Sequence, residues 1–363
     1  MAVMNIINIK DTSNKLFYIG GVVRDELLGI KSFDVDITYA GNAIEYCRGF
    51  GDVIQENPEF GTVRVKVDGR EVDFASTRSE SYPHKGHLPV VEKIGCSLKE
   101  DVLRRDFTVN ALAKSVSTGE IVDYTGGLED LKNKKLRVLH DESFIDDPTR
   151  IIRALKFSVR FGFELEEHTR ILQEEYLSDI NYDMSYKRVK KELIETFSLN
   201  SNLAFEKFIN ENIYKLVTEN DVKFTDVNIE KLVNDYNPEY VWLVYAGVIK
   251  DLSRLPLTKI EKKILDDIPQ KVLRNDFEIY KAFENVRIET VLLYAILKDE
   301  ASARRYLDNL RNVKISVTGE DLQKAGIKPS PKYQEIFDEI LKQKLENPQI
   351  SRCDEISLVE KYK

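Results

Sequence analysis

Histidine and cysteine, the side chains that most often carry metal and nucleophile chemistry, are scarce here: four of one and three of the other in 363 residues. Cys47, Cys96 and Cys353 are odd in number and far apart. That argues against a disulfide framework and for a reducing compartment, the cytoplasm. No CxxC or HExxH spacing occurs, so a structural zinc site is not expected. His84, His87, His140 and His168 form no adjacent His-Asp pair, which disfavours a histidine-based phosphohydrolase. No apolar run approaches the length of a membrane span. The opening MAVMNIINIKDTSNK has no basic lead before a long apolar core, so neither a membrane anchor nor a signal peptide is expected. Surplus positive charge is missing too: 54 Lys and Arg against 62 Asp and Glu leave a net charge of −8. A nonspecific nucleic-acid coat would be basic. An acidic total leaves room only for a local basic groove.

What remains is an ordinary globular composition, 42% hydrophobic and 32% charged, in a chain long enough for about two to four structural units. Up to about residue 140 the pattern is α+β. KLFYIG is a short apolar run ending at Gly20-Gly21, as a strand entering a turn would. VVRDELLG has helical spacing and stops at Gly29. DVDIT, TVRVKV and REVDFA alternate like sheet strands, and ALAKSV and EIVDY read as a further pair. From Asp147 onward the pattern becomes helical. Ile151, Leu155 and Val159, with Ile152 beside them, fall on one face, and Arg150, Arg153, Lys156 and Arg160 on the other. SYKRVKKELIETF is a second helix with a basic start, and SPKYQEIFDEILKQKLEN a late amphipathic one. Residues 200–363 carry few strand signals.

Asp34 and Asp36 sit two apart in DVDIT, and on a strand such residues share a face. Two carboxylates that close repel unless a cation lies between them, and hard divalent ions suit that role. Alone, the pair reads equally as two solvated acids at a strand end. Its neighbours tilt the reading. Gly20 and Gly21 end a strand, where backbone N–H groups can approach a phosphate. Arg24 is placed to support an anion or an acidic neighbour. Asp73 supplies a third acid on another strand. No Walker-type P-loop is present. Three acids and a glycine turn suit two-metal phosphoryl chemistry. Arg150, Arg153, Lys156 and Arg160, interleaved with Phe157 and Phe161, would suit RNA backbone and a stacked base. Lys187, Arg188, Lys190 and Lys191 are either phosphate contacts or a solvated helix face.

FYIGGVVRDELLGIKSFDVDIT resembles the first signature of class II tRNA nucleotidyltransferases and bacterial poly(A) polymerases. RRDFTVNALA at 104–113, DYTGGLEDL at 123–131, DDPTRIIRALKF at 146–157 and SYKRVKKEL at 185–193 are similar to their later motifs, in the same order. GEDLQKAGIKPSP near 319–331 resembles the C-terminal region of many members. The resemblance implies a polymerase-β-like head with a mixed sheet (1–140), an all-α neck holding the nucleotide-selecting motif (141–200) and a helical, tRNA-binding body and tail (201–363). It implies Asp34 and Asp36 as Mg²⁺ ligands, with Asp73 as the third catalytic carboxylate. Gly20, Gly21 and Arg24 match the triphosphate turn, and Arg105, Asp106 and Asn110 match residues near the sugar and phosphates. Asp147 and Arg150 match the pair that reads the incoming base, with Arg153 one turn on. Lys156, Arg160, Lys187 and Arg188 are the candidate RNA contacts. The expected reaction is template-independent transfer from CTP and ATP to a tRNA 3′ end. CC-addition, A-addition and poly(A) synthesis remain open within the same chemistry, as does a noncatalytic RNA-binding role in a different class. Residues 79–98, where the family has a specificity-switching loop, are either that loop or a surface connection.

Overall fold

Burial alternates along the strands as the sequence predicts, with valine and phenylalanine inward and charge outward. The structure, a computed structural model, describes residues 13–32, 35–49, 52–67, 69–222 and 225–362. Asp34 and the first twelve residues lie outside these. The first nine strands in chain order are β1 (Leu16–Ile19), β2 (Asp36–Tyr39), β3 (Asp52–Asn57), β4 (Thr62–Val67), β5 (Arg70–Ser76), β6 (Arg78–Ser81), β7 (Val90–Ile94), β8 (Ala113–Ser115) and β9 (Ile121–Val122). Seven of them form one sheet in the order β3-β4-β5-β2-β1-β8-β9. Within its described residues only β2 and β5 run parallel, so this sheet is mixed, as expected. β6 and β7 form a separate hairpin.

Ile37, Val63, Val65, Val72 and Phe74 are buried on one face of this sheet, each such side chain being worth about 1.5–3 kcal/mol. Arg64, Lys66, Glu71, Asp73 and Asp36 occupy the alternate, exposed positions. The first helices are α1 (Gly21–Leu27), α2 (Ala43–Arg48), α3 (Leu98–Leu103) and α4 (Gly127–Lys132). α2 packs on β4 and β5 through Ala43, Ile44 and Cys47. Burial pushes the Cys47 thiol up to about 12, so it stays protonated and serves as packing. β3 was not foreseen. As an edge strand it is exposed on both faces, so DVIQEN lacks the apolar alternation that marks a half-buried strand.

The segment expected as an all-α neck holds α5 (Ser143–Asp146), α6 (Thr149–Phe161), α7 (Glu167–Ser178) and α8 (Tyr186–Phe197), and also a two-residue strand, Glu164–Leu165, paired parallel with Lys135–Leu136. α6 buries Ile151, Ile152 and Leu155 and stops at Gly162, whose φ of 67° is the left-handed conformation that suits a helix end. Sheet and neck belong to one compact unit, which runs to Leu199 and takes in Glu206–Glu219. A second unit comprises Asn200–Phe205 and the chain from Asn220 on. Its regular secondary structure among the described residues is all helical, as expected. Trp242 is buried in it as core. Glu289, fully buried, accepts the backbone N–H groups of Glu239 and Tyr240 at 2.8 and 3.0 Å. The late helix appears as Lys332–Glu346, packing Ile336 and Ile340 against Val317, Leu322, Ile327 and Val359. No described helix is long and apolar enough to cross a membrane.

Candidate active site

β1 ends at Gly20, whose φ of 73° and ψ of −126° are accessible to glycine and strained for other residues. Its N–H donates to the Leu112 carbonyl at 3.0 Å, tying the turn to the 104–113 segment. A Cβ there would stand 2.9 Å from Arg105 Nη1. The Arg105 guanidinium thus lies directly on the glycine turn. Burial lowers its pKa, against the pull of Asp101 and Asp36. Its Nη2 reaches Asp101 only at 3.4 Å, and its Nε is buried without a hydrogen-bond partner. A buried N–H left unpaired costs about 1–3 kcal/mol.

Asp36 opens β2 and is the register partner of Asp73 on β5. Register partners on adjacent strands project to the same side, so the two acids stand together on the exposed face. Asp73 is in turn the partner of Arg64 on β4, whose Nε and Nη2 donate to its two oxygens at 2.7 and 3.0 Å. Two hard-oxygen donors in one row fit a divalent cation. Asp34, the third acid of the expected trio, lies outside the described residues.

Arg24 turns inward. It donates to Asp25 at 2.6 and 2.9 Å and to Asn110 Oδ1 at 2.5 Å, and its guanidinium lies over the rings of Phe157 and Phe161. Of the two roles open to it, it takes the acidic neighbour. Asn110 passes the connection on, donating to Asp106 at 3.0 Å. Asp106 also accepts from the Phe107 N–H at 2.8 Å and from Arg153 at 2.7 and 2.8 Å. Burial alone would raise the Asp106 carboxyl. The charge of Arg153, the Asn110 amide and the nearby Arg150 hold it down to about 2. DYTGGLEDL braces the same segment from outside. Asp123 accepts the N–H groups of Thr125, Gly126, Gly127 and Leu128, and Asp130 accepts from Thr108 Oγ1 at 2.7 Å.

Asp147 and Arg150 do not share a helix, contrary to expectation. Asp147 has φ −145° and ψ 89°, joining α5 to α6. The cause is Pro148, which pushes the residue before it out of the helical region. The two still face each other, with Arg150 Nε 4.0 Å from Asp147 Oδ2. Asp147 Oδ1 accepts the Thr149 N–H and hydroxyl at 3.2 and 2.6 Å, and Oδ2 accepts from Arg188 on α8. Arg150 donates to Ser143 Oγ at 2.6 Å, to the Arg104 carbonyl at 3.1 Å and to the Tyr82 hydroxyl at 3.3 Å. Tyr82 begins the tip of the β6–β7 hairpin. Farther along the tip, Gly86 N–H donates to the Asp146 carbonyl at 3.0 Å, Lys85 bonds Glu142 at 2.9 Å and also Asp146, and the His87 carbonyl accepts from Arg188 at 3.3 Å. Residues 82–87 therefore rest on the joint that carries Asp147.

The basic face of α6 is largely enclosed. Arg153 bridges Asp106 and Glu192, and Lys156 is buried between Glu192 and Glu195. Arg160 is exposed, 4.0 Å from Asp25 and over the Phe161 ring. Lys187 is exposed on α8 and Arg188 is half-buried against Asp147. Arg105, the Gly20 turn and Asp36 are thus brought together, as are Asp106, Asn110 and Arg153, and Asp147, Arg150 and Arg188. Sequence reasoning missed Glu192, Tyr82, Asp101 and Arg64. Glu192 had a visible signal, four residues after Arg188 inside a quoted motif. Arg64 had none beyond strand alternation.

A mixed sheet that sets acids beside a glycine turn and an unpaired guanidinium N–H, backed by a helical joint bearing an acceptor and a donor, defines a nucleotidyltransferase-type head. Residues 16–137 match the Poly A polymerase head domain family. The chain is 33% identical to the A-adding tRNA nucleotidyltransferase of Aquifex aeolicus, over 86% of this chain and 43% of that protein. It is 30% identical to the A-adding enzyme of Halalkalibacterium halodurans, over 92% of this chain and 86% of that protein. A solved CCA-adding enzyme in an apo form shares the fold with a TM-score of 0.79 and 25% identity, over 96% of this chain and 92% of that one. The chain belongs to the class II tRNA nucleotidyltransferase and poly(A) polymerase family. It spans less than half the length of the Aquifex relative.

Proposed function

We propose that this chain is a CCA-adding tRNA nucleotidyltransferase, a cytoplasmic enzyme that transfers CMP and AMP from CTP and ATP to the tRNA 3′ end and releases pyrophosphate. The observation that carries the reading is the buried Arg105 guanidinium, which meets the Gly20 turn through Nη1 while its Nε lacks a hydrogen-bond partner, in a sheet whose next strand opens with Asp36. It is a seat for a triphosphate next to acids suited to a metal ion. Asp36, with Asp34, would hold Mg²⁺, and Asp73 would stand as the third carboxylate. The ion would activate the attacking hydroxyl and stabilise charge on the triphosphate. Gly20 and Gly21 line the phosphate turn. Arg24, Asp106, Asn110 and Arg153 form the buried scaffold behind it.

Base choice falls to Asp147 and Arg150. A carboxylate only accepts hydrogen bonds and a guanidinium only donates. Asp147 Oδ1 already accepts two and Oδ2 one, which leaves acceptor capacity on Oδ2, with the Arg150 Nε donor 4.0 Å away. Cytosine and adenine present an amino donor beside a ring-nitrogen acceptor, the complement of that pair. Uracil and guanine put a carbonyl where the amino group would be. A mismatched buried polar pair costs about 1–3 kcal/mol, enough for roughly tenfold to hundredfold rejection. Residues 1–140, 141–200 and 201–363 would act as head, neck, and tRNA-holding body and tail. Arg160 and Lys187 keep exposed charge for RNA, whereas Lys156 and Arg188 act within the fold.

A second reading, addition of the terminal A alone, is favoured by the names of the Aquifex and Halalkalibacterium relatives. Transcripts of tRNA ending before CCA, after C and after CC, incubated with CTP, ATP and Mg²⁺ and then sequenced, separate the two. CCA-addition completes all three. A-addition extends only the last. Extension of none contradicts both.

A further inference from the structure

The open face of the sheet carries one row of charge across three strands. Arg64 on β4 is the register partner of Asp73 on β5, and Asp73 is the register partner of Asp36 on β2. The neighbouring rung pairs Lys66 with Glu71. A ladder of alternating charge is an ordinary way to keep an open sheet face soluble. The Arg64 rung differs in its geometry. Its guanidinium forks onto both Asp73 oxygens at 2.7 and 3.0 Å, which is the strong, directional form of this pair. Asp73 raises the Arg64 pKa first through that hydrogen bond and then through its charge. The side chains remain 43% and 58% exposed, so the pair is weak enough to be displaced. A fork that engages both oxygens is also incompatible with unhindered chelation of a metal by the same carboxylate.

We propose that Arg64 is a positioning residue that competes with the divalent cation for Asp73. This rests on the reading of Asp36 as a metal ligand. Before metal arrives Arg64 holds Asp73, and the cation at Asp36 acquires Asp73 only by displacing the fork. Metal affinity is thereby set below what the carboxylates alone would give. Asp73 is drawn into the metal shell as the site fills.

Mn²⁺ binding to the full chain without nucleotide, followed by electron paramagnetic resonance, tests this. Arg64→Gln tightens Mn²⁺ binding by about two- to fivefold, the range an exposed ion pair supports. Arg64→Lys keeps the charge and loses the fork, and it tightens binding in the same direction. In an Asp73→Asn background both effects vanish. Unchanged affinity in Arg64→Gln and Arg64→Lys overturns the proposal. So does an equal gain with and without Asp73, which would mark a general charge effect. Asp36→Asn separates the two levels. If it leaves Mn²⁺ binding intact, the metal reading itself fails. If it abolishes binding while the Arg64 variants bind as the parent does, only the role of Arg64 fails.

Discussion

Replacing Asp106 by asparagine removes the charge at the centre of the network that joins glycine turn, 104–113 segment and neck. Asp106 is buried and held at about 2, against about 3.9 in an unfolded chain. A carboxyl depressed on folding stabilises the folded state above its unfolded pKa, and that stability is lost as pH falls through the folded value. The shift corresponds to about 2–3 kcal/mol at pH 7, of which roughly half remains at pH 3. The variant also leaves Arg153 with Glu192 alone, so the loss at pH 7 is expected to be at least about 2 kcal/mol. Urea unfolding followed by far-ultraviolet circular dichroism, at steps from pH 7 to pH 3, measures it. The gap between parent and Asp106→Asn should narrow steadily as pH falls. A gap independent of pH, or no gap at pH 7, would refute the linkage between Asp106 ionisation and the Arg153 contact.

Arg150→Ala should loosen base choice, seen as U or G misincorporated into tRNA transcripts, with selectivity falling roughly tenfold to hundredfold. Unchanged selectivity would show that another residue reads the base. Gly127→Ala would place a Cβ 2.3 Å from the Thr108 carbonyl oxygen. Backbone there must move, so thermal unfolding should register a loss of about 1–3 kcal/mol, and nucleotide affinity should fall because the 104–113 segment shifts with it.

The sequence resolves best where structure is local. Val63, Val65, Val72 and Phe74 announce their strands because alternation is a nearest-neighbour property. The break at Asp147-Pro148 was equally local, yet it was read as continuous helix because the apolar periodicity after it is strong. Pro148 was the cue to the contrary. What sequence could not supply was pairing at a distance. Arg150, Arg153, Lys156 and Arg160 read as a basic face open to RNA. Lys156 instead meets Glu192 and Glu195, and Arg153 meets Asp106. Those partners lie about forty residues away in the chain, and nothing in helical periodicity reveals whether a basic face meets solvent or an acidic neighbour. Residues 79–98 were open between the family's specificity-switching loop and a surface connection. The hairpin and its rest on the Asp147 joint depend on contacts with α5 and α8 that no local pattern encodes.

The central claim is that Asp36 supports nucleotide transfer to tRNA from the face it shares with Asp73. Asp36→Ala, assayed for CMP incorporation into a tRNA transcript lacking CCA alongside gel-shift binding of the same transcript, tests it most directly. The account predicts that incorporation is abolished while tRNA affinity is largely retained. Turnover comparable to the parent would contradict it.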